Sequence, residues 1–238
     1  MPRTTHAEPT IAGLQSIALL KGVPAPALTE LSRHCRWRRF EAGQQVISRA
    51  APNQDVYLIV SGRVRATAFS AMGRQVTYRD IAGGDWFGDF AAIDGLPRSA
   101  DVVALDDTFL ATISPDTFRR LLHEHPAVCD RVLLRLVASV RELTERIFDY
   151  STLGVQNRVH AELLRLAKHA GVTGNTARID PAPRHADIAG QISTYREQVT
   201  RELSAMVKVG LVQRAGNALV IPDVARLEKI VAEVRRSA

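Results

Sequence analysis

Between Gln45 and Ile113 the chain is cut into short β-prone runs at regular intervals, and that rhythm restricts the fold more than any other feature. Gln45–Ile47, Val56–Val60, Val64–Phe69 and Gln75–Tyr78 are rich in β-branched and aromatic residues. Glycine-bearing turns separate them at Gly43, Ser61-Gly62, Met72-Gly73 and Gly83-Gly84. Two further runs follow, Ala100–Ala104 and Thr108–Ile113. Short strands at such spacing predict an antiparallel barrel or roll. Ahead of them, Ile11–Leu20 has a short helical apolar pattern, and Pro26 opens a second short helix through Leu31.

After the last run the period changes. Ser114 is an N-cap with Pro115 at the first helical position, for a helix to about His123. From Ala127 to about Tyr150 no glycine or proline interrupts. Apolar residues fall at Val132, Leu136, Val140, Leu143, Ile147 and Tyr150, spaced by fours and threes, with arginines and glutamates between them. That stripe reads as a coiled-coil seam on a helix about 36 Å long at ~1.5 Å per residue. An intramolecular core helix is the other reading. Leu133, Leu134 and Val137 widen the apolar face, which predicts packing of this helix on the roll as well.

Gly154 ends or kinks that element. Gln156–His169 is amphipathic, Gly171–Asn175 reads as a loop, and Thr176–Ile179 reads as a short strand. Then two helices are expected, His185–Ile192 and Tyr195–Val209, joined by Ser193-Thr194 with N-cap chemistry. A hairpin over Leu211–Ile221 turns at Gly216-Asn217, and Asp223–Arg236 closes as a helix. Two helices across a tight turn, followed by a hairpin, are a winged helix-turn-helix. The second helix of such a unit enters the DNA major groove by its N-terminal end. Arg196, Glu197 and Arg201 stand there. Arginine donates in pairs to guanine O6 and N7, and glutamate accepts from cytosine N4. A solvated helix face with Glu197 and Arg201 paired at i,i+4 is the plain alternative. Charge favours the DNA reading: residues 151–238 hold 13 Lys and Arg against 8 Asp and Glu, while residues 1–150 hold 18 against 17.

The most informative stretch runs from Gly83 to Ala100. Gly88 lets backbone approach a ligand closely. The turn from Asp89 to Ile93 offers backbone N–H groups to a phosphate. Arg98 brings a guanidinium fork that grips phosphate oxygens in pairs, and Ser99 adds a hydroxyl. Asp89 repels phosphate, so its natural partner is a hydroxyl such as that of a ribose. The spacing resembles the phosphate-binding cassette of cyclic-nucleotide-binding domains, Gly-Glu-x-Ala-x-x-x-Gly-x-Pro-Arg-Ser/Thr/Ala-Ala. Gly88, Ala91, Gly95, Pro97, Arg98, Ser99 and Ala100 keep their places, and Asp89 stands where the family has glutamate. Likewise Arg196-Glu197-Gln198-Val199-Thr200-Arg201 is similar to the recognition helix Arg-Glu-Thr-Val-x-Arg of the cyclic-AMP receptor protein/Fnr family, with Gln198 for threonine.

The resemblance spans about Ile11 to Ile221. It implies an α+β chain: a cyclic-nucleotide-binding β-roll over 11–125, a dimerisation helix over 126–150, and a winged helix-turn-helix over 151–238. It implies a cytoplasmic, homodimeric, non-enzymatic transcription regulator. The effector would be cyclic AMP and/or cyclic GMP, and no metal is called for. The implied partners are palindromic double-stranded DNA with TGTGA-like half-sites, a second copy of the chain, and RNA polymerase, with no membrane. The expected ligand set is Phe87, Gly88, Asp89, Phe90, Ala91, Arg98, Ser99 and Ala100, with Leu143 and Thr144 at the positions of the family's base-contacting pair. The expected DNA set is Arg184, Thr194, Tyr195, Arg196, Glu197, Gln198, Thr200, Arg201 and Arg214. Asp89 and Leu143 depart from the family pattern. They leave open a ligand-independent regulator with a degenerate pocket, or one that answers another phosphorylated ligand.

Other classes find little support. The seven histidines are scattered, and His123 and His125 point different ways on a helix. No Gly-Lys-Ser/Thr phosphate loop occurs. Cys35 and Cys129 lie far apart, without metal-ligand spacing, as in a reducing compartment. The polar start, Met1–Thr10, lacks the apolar core of a secretion signal and reads as a frayed arm.

Overall fold

The structure is a computed structural model that describes residues 10–70 and 75–237. The turn expected at Met72-Gly73 and the arm before Thr10 lie outside the described residues. The chain divides into two compact units, Met1–Ala138 and Ser139–Ala238.

The first unit begins with α1 (Ile11–Gln15), a 3₁₀ turn at Ala18–Leu20, and α2 (Ala25–His34). Eight strands follow: β1 (Arg36–Phe40), β2 (Gln45–Ile47), β3 (Val56–Ser61), β4 (Arg63–Phe69), β5 (Gln75–Ala82), β6 (Trp86–Phe87), β7 (Asp101–Ala104) and β8 (Thr108–Ile113). The short helix α3 (Asp89–Asp94) interrupts them, and α4 (Pro115–Glu124) follows, capped by Ser114 as expected. Two antiparallel four-stranded sheets form, in the orders β1-β8-β3-β6 and β2-β7-β4-β5. The strands at Arg36–Phe40 and Trp86–Phe87 were not foreseen. The first mixes three arginines with Trp37 and Phe40 at a sheet edge, and the second is two residues long.

Strand periodicity divides the core in two. Tyr57 and Ile59 of β3 and Leu110 of β8 turn into the roll, where they meet residues such as Val64, Ala66, Ile81, Phe87 and Val102. Val56 and Leu58 of β3, with Ala111 and Ile113 of β8, project to the other face, where Leu14, Ile17, Leu20, Leu28, Phe118, Val128 and Val132 cover them. With both faces covered, these strands read as continuous apolar runs rather than alternating ones.

The long helix α5 (Pro126–Thr152) crosses the division, with its first half in one unit and its second in the other. Its packing corrects one expectation. Val128 and Val132 are buried in the helical cluster, with Leu136 against it, one stripe at i,i+4 spacing. Leu133, Leu134 and Val137 are exposed, so they do not pack on the roll. Val140, Leu143 and Ile147 are exposed as well. Val132 and Leu136 therefore serve the core of this chain, and the free apolar line is Leu133–Val137–Val140–Ile147.

The second unit holds the rest of α5, then α6 (Val155–Ala170), β9 (Val172–Thr173), β10 (Thr176–Ile179), α7 (His185–Gln191), α8 (Arg196–Lys208), β11 (Gln213–Ala215), β12 (Ala218–Ile221) and α9 (Val224–Ser237). The sheet order is β11-β12-β10-β9. Gly171–Asn175 carries the short strand β9 rather than a plain loop. Val159, Leu163, Ile188, Val199, Leu203, Met206, Leu219, Ile221 and Leu227 form one core. The stripe foreseen for α8 holds at Val199, Leu203 and Met206, whereas Val207 is exposed.

Candidate functional site

In the first unit the cassette residues surround a buried arginine. Gly88 has φ +87°, in the left-handed region, and caps α3. A Cβ there would sit 2.7 Å from Arg98 Nη1 and 2.8 Å from the Asp55 carbonyl oxygen, so only glycine fits. Arg98 is 5% exposed. Its Nη1 donates to the Gly88 carbonyl at 2.9 Å, and its Nη2 donates to Asn53 Oδ1 at 2.5 Å and to the Asp55 carbonyl at 2.6 Å. The guanidinium carbon lies 5.6 Å from the centre of the Tyr57 ring, which stacks on Phe87 at 4.9 Å. Among the described residues the buried Nε–H has no acceptor.

These facts define what the cradle can hold. All three bound acceptors are neutral, so none of these hydrogen bonds carries a counter-charge to Arg98. Burial pulls its pKa down from the usual arginine value, against the pull of Tyr57, Asp55 and Asp89. Arginine stays protonated in proteins even so. A buried cation with one orphaned donor, beside a glycine that clears the approach, fits an anion such as a cyclic phosphate.

Asp89 is 4% exposed, and its Oδ2 accepts from Trp86 Nε1 at 3.2 Å. Burial raises its pKa, while the charge of Arg79 opposes the rise. Trp86 is held in turn by α5. Arg135 lies 3.9 Å from its ring centre, donates to its carbonyl at 2.5 Å, and donates to Asp85 Oδ1 at 2.7 Å. The long helix thus reaches the buried carboxylate through one indole. Phe87 and Ala91 are buried, Ala100 is half-buried, and Ser99 and Phe90 are exposed. Leu143 and Thr144 lie in the second unit, on the exposed side of α5, where the Thr144 hydroxyl donates to the Val140 carbonyl at 2.9 Å. Sequence reasoning missed Asn53, Asp55, Tyr57 and Arg135 as members of this cradle. Trp86 was in plain view inside the cassette, but its indole N–H carries no motif.

In the second unit Arg196, Glu197 and Arg201 are exposed at the N-terminal end of α8. Among the described residues neither Glu197 nor Arg201 enters an ion pair, so the i,i+4 pairing is not realised. Tyr195 takes the N-cap position without a side-chain cap, where capping by Ser193 or Thr194 was expected. Ser193 has φ +53°, and the Thr194 hydroxyl donates to Gln198 Oε1 instead. Arg184 pairs with Asp187 at 3.2 Å in the first turn of α7, and Arg214 is exposed on β11.

Thr200 joins the two helices. Its hydroxyl donates to the Arg196 carbonyl at 2.9 Å and lies 2.7 Å from His185 Nδ1. One hydroxyl hydrogen serves one acceptor, so Nδ1 of His185 is the donor in the second bond. Burial lowers the pKa of His185, and the charges of Arg214 and Arg196 lower it further. Behind these residues, His160 meets Glu202 at 2.8 Å, and Arg165 grips Glu162 at 2.9 and 2.6 Å while donating to Gln191 Oε1 at 3.0 Å. Arg235 grips Asp149 at 2.9 and 2.7 Å, and the Tyr150 hydroxyl donates to the Gln191 carbonyl. This network ties the end of α7 to α6, α9 and the second half of α5.

Among the described residues no group of His, Cys, Asp and Glu is placed to hold a metal ion, and no helix is long and apolar enough to cross a membrane. Residues 37–125 match the family model of the cyclic nucleotide-binding domain, and residues 157–230 match that of the Crp-like helix-turn-helix domain. The chain is 28% identical over 217 residues to the cyclic AMP receptor protein of Thermus thermophilus, covering 89% of this chain and 98% of that one. It is 24% identical over 217 residues to a CRP-like cAMP-activated global transcriptional regulator of Mycobacterium tuberculosis, covering 91% and 97%. In fold it is similar to a variant of CooA from Carboxydothermus hydrogenoformans, with a TM-score of 0.73 at 19% identity, covering 84% and 88%. It is also similar to FixK2 from Bradyrhizobium japonicum, with a TM-score of 0.69 at 18% identity, covering 82% and 96%.

Proposed function

The chain belongs to the Crp-Fnr family of transcription regulators, non-enzymatic proteins that join a cyclic nucleotide-binding domain to a DNA-binding helix-turn-helix, and we propose that it is a homodimer whose hold on palindromic DNA is set by cyclic AMP or cyclic GMP. One observation carries the effector part: Arg98 is a buried cation whose partners are all neutral and whose Nε–H is orphaned. The cyclic phosphate supplies the missing anion, and Asp89 accepts from the ribose hydroxyl.

The apolar line Leu133–Val137–Val140–Ile147 supports the dimer. Four large side chains spaced by four, three and seven residues stay in water on a single chain. Each contributes about 1.5–3 kcal/mol when buried against a second copy. In this reading the Arg135–Trp86–Asp89 relay carries ligand occupancy to α5. Paired α5 helices then set the two recognition helices about 34 Å apart, one turn of DNA. Arg196, Glu197 and Arg201 read TGTGA-like half-sites, Arg184, Tyr195 and Arg214 meet phosphates, and RNA polymerase is the further partner. A ligand shifts this equilibrium only through its different affinity for the two arrangements, so DNA must tighten nucleotide binding as much as nucleotide tightens DNA binding.

The test is anisotropy of a labelled TGTGA palindrome, titrated with the full chain with and without each nucleotide, beside light scattering of wild type and Ile147→Arg. The proposal expects nucleotide-strengthened DNA binding that Arg98→Ala abolishes, and a monomer for Ile147→Arg. DNA affinity indifferent to nucleotide and to Arg98→Ala would replace it with a ligand-independent regulator.

A further inference from the structure

Asn53 holds the same guanidinium that the nucleotide reading gives to phosphate, and neither the cassette pattern nor the comparisons assign it a role. It is exposed, in the loop between β2 and β3, and its Oδ1 accepts from Arg98 Nη2 at 2.5 Å. Arginine only donates, so the amide oxygen faces it. The same oxygen accepts from the Asp55 N–H at 3.0 Å, and Nδ2 turns toward Asp55 Oδ2 at 3.4 Å.

The donors of Arg98 set the terms on which a phosphate can enter. A guanidinium has two edges on which N–H groups run in parallel, Nε with Nη2 and Nη1 with Nη2, and both edges use Nη2. The two hydrogens of Nη2 are engaged by Asn53 Oδ1 and by the Asp55 carbonyl at 2.6 Å. A paired grip on two phosphate oxygens therefore requires one of these acceptors to leave. The Asp55 carbonyl is backbone, next to Val56, which is held in register opposite Ile113 in the sheet. Asn53 is an exposed side chain on a loop, and a change of rotamer withdraws its oxygen. The guanidinium keeps its aim without Asn53. The Gly88 carbonyl still holds Nη1, the Asp55 carbonyl still holds Nη2, and the Tyr57 ring centre lies 5.6 Å from the guanidinium carbon.

We propose that Asn53 is an internal competitor for the phosphate position on Arg98, which a nucleotide displaces on entry, and that it thereby limits the affinity of the cradle. An anionic phosphate oxygen binds the cation more strongly than a neutral amide oxygen does, so the exchange runs forward and its cost is the Asn53 bond. This inference rests on the nucleotide reading of the cradle.

Calorimetric titration of the full chain with cyclic AMP and cyclic GMP tests it, on wild type, Asn53→Ala and Asn53→Asp, with thermal melting to certify each fold. Asn53→Ala has nothing to displace, so it should bind roughly three- to thirtyfold more tightly than wild type. The gain should agree within about twofold for any two nucleotides that wild type binds, because Asn53 contends with the phosphate and not with the base. Asn53→Asp keeps an acceptor for the Asp55 N–H and sets a carboxylate on Arg98, so it should bind roughly tenfold or more weakly than wild type. If Asn53→Ala binds as wild type does, or more weakly, Asn53 is a bystander or a support for Arg98, and the inference fails while the nucleotide reading stands. A gain for one nucleotide and none for another that wild type also binds would place Asn53 at the base and overturn it as well. Should Asn53→Ala fail to fold, Asn53→Asp decides, and wild-type affinity in that variant overturns the inference. Silence of wild type and Asn53→Ala toward both nucleotides, with DNA still bound, overturns the nucleotide reading itself.

Discussion

The cradle of the roll and the reading end of α8 both depend on arginine, and they prepare it in opposite ways. Arg98 is 5% exposed, held by three acceptors, and fixed over a tyrosine ring. Arg196 and Arg201 are exposed at a helix start. Under the proposed function the difference follows from the partners. A small anion buried in an apolar roll needs a charge already stripped of water and pointed, because a flexible side chain would lose its freedom at the moment of binding. DNA brings its own dense charge and takes the side chains from solvent, so the protein gains nothing by ordering them beforehand. The cradle therefore couples function to stability, and the recognition helix separates them.

The largest effect expected from this contrast is at Arg98. Arg98→Ala strips the Gly88 and Asp55 carbonyls of this donor at once and leaves Asn53 Oδ1 with the Asp55 N–H alone. Unpaired buried polar groups cost about 1–3 kcal/mol each, less where water enters, so a loss of about 3 kcal/mol is expected in chemical denaturation, together with loss of nucleotide binding. Gly88→Ala comes next. Its φ of +87° and the 2.7 Å approach to Arg98 should cost about 1–3 kcal/mol and displace the guanidinium, seen as a lower melting temperature and weaker nucleotide binding. Arg196→Ala should lose roughly 1–3 kcal/mol of DNA affinity at one base position and stay within about 0.5 kcal/mol of wild-type stability. A melting loss as large as that of Arg98→Ala would break the contrast, and an equal affinity loss on every DNA sequence would remove Arg196 as a base reader.

The smallest effect sharpens the comparison through pH. His185 has a lowered pKa in the folded chain, by burial and by Arg214 and Arg196. The unfolded chain therefore holds more of this proton just below the ordinary histidine pKa of about 6.5, so stability rises with pH through that window and is complete above it. DNA phosphates favour the charged imidazole, so DNA affinity should rise as pH falls through the same window. His185→Gln should flatten both slopes in melting and binding measured from pH 8 to 5.5.

Much of this was legible along the chain. The cassette spacing, the Ser114-Pro115 helix start, the uninterrupted run of α5 and the two-helix-then-hairpin order all stand in local residue patterns, and the structure realises each of them. Other features were not local. Asn53 and Asp55 lie 45 and 43 residues from Arg98, and no spacing rule links a loop amide to an arginine at that distance. Thr194 has the chemistry of a helix cap, and the backbone at Ser193 sends its hydroxyl to Gln198 instead.

Residue order by itself determined where turns fall, which segments take a period of two or of 3.6, and which residue types crowd around Gly88 and the start of α8, because these follow from backbone freedom and side-chain alternation over a few residues. Only the tertiary structure decided which side of α5 meets the core and which stays open, and that Arg79 of β5 stands opposite Ala66 of β4. Those choices depend on register between distant segments, where a shift of one residue reverses every side chain and the packing of the whole unit selects the outcome.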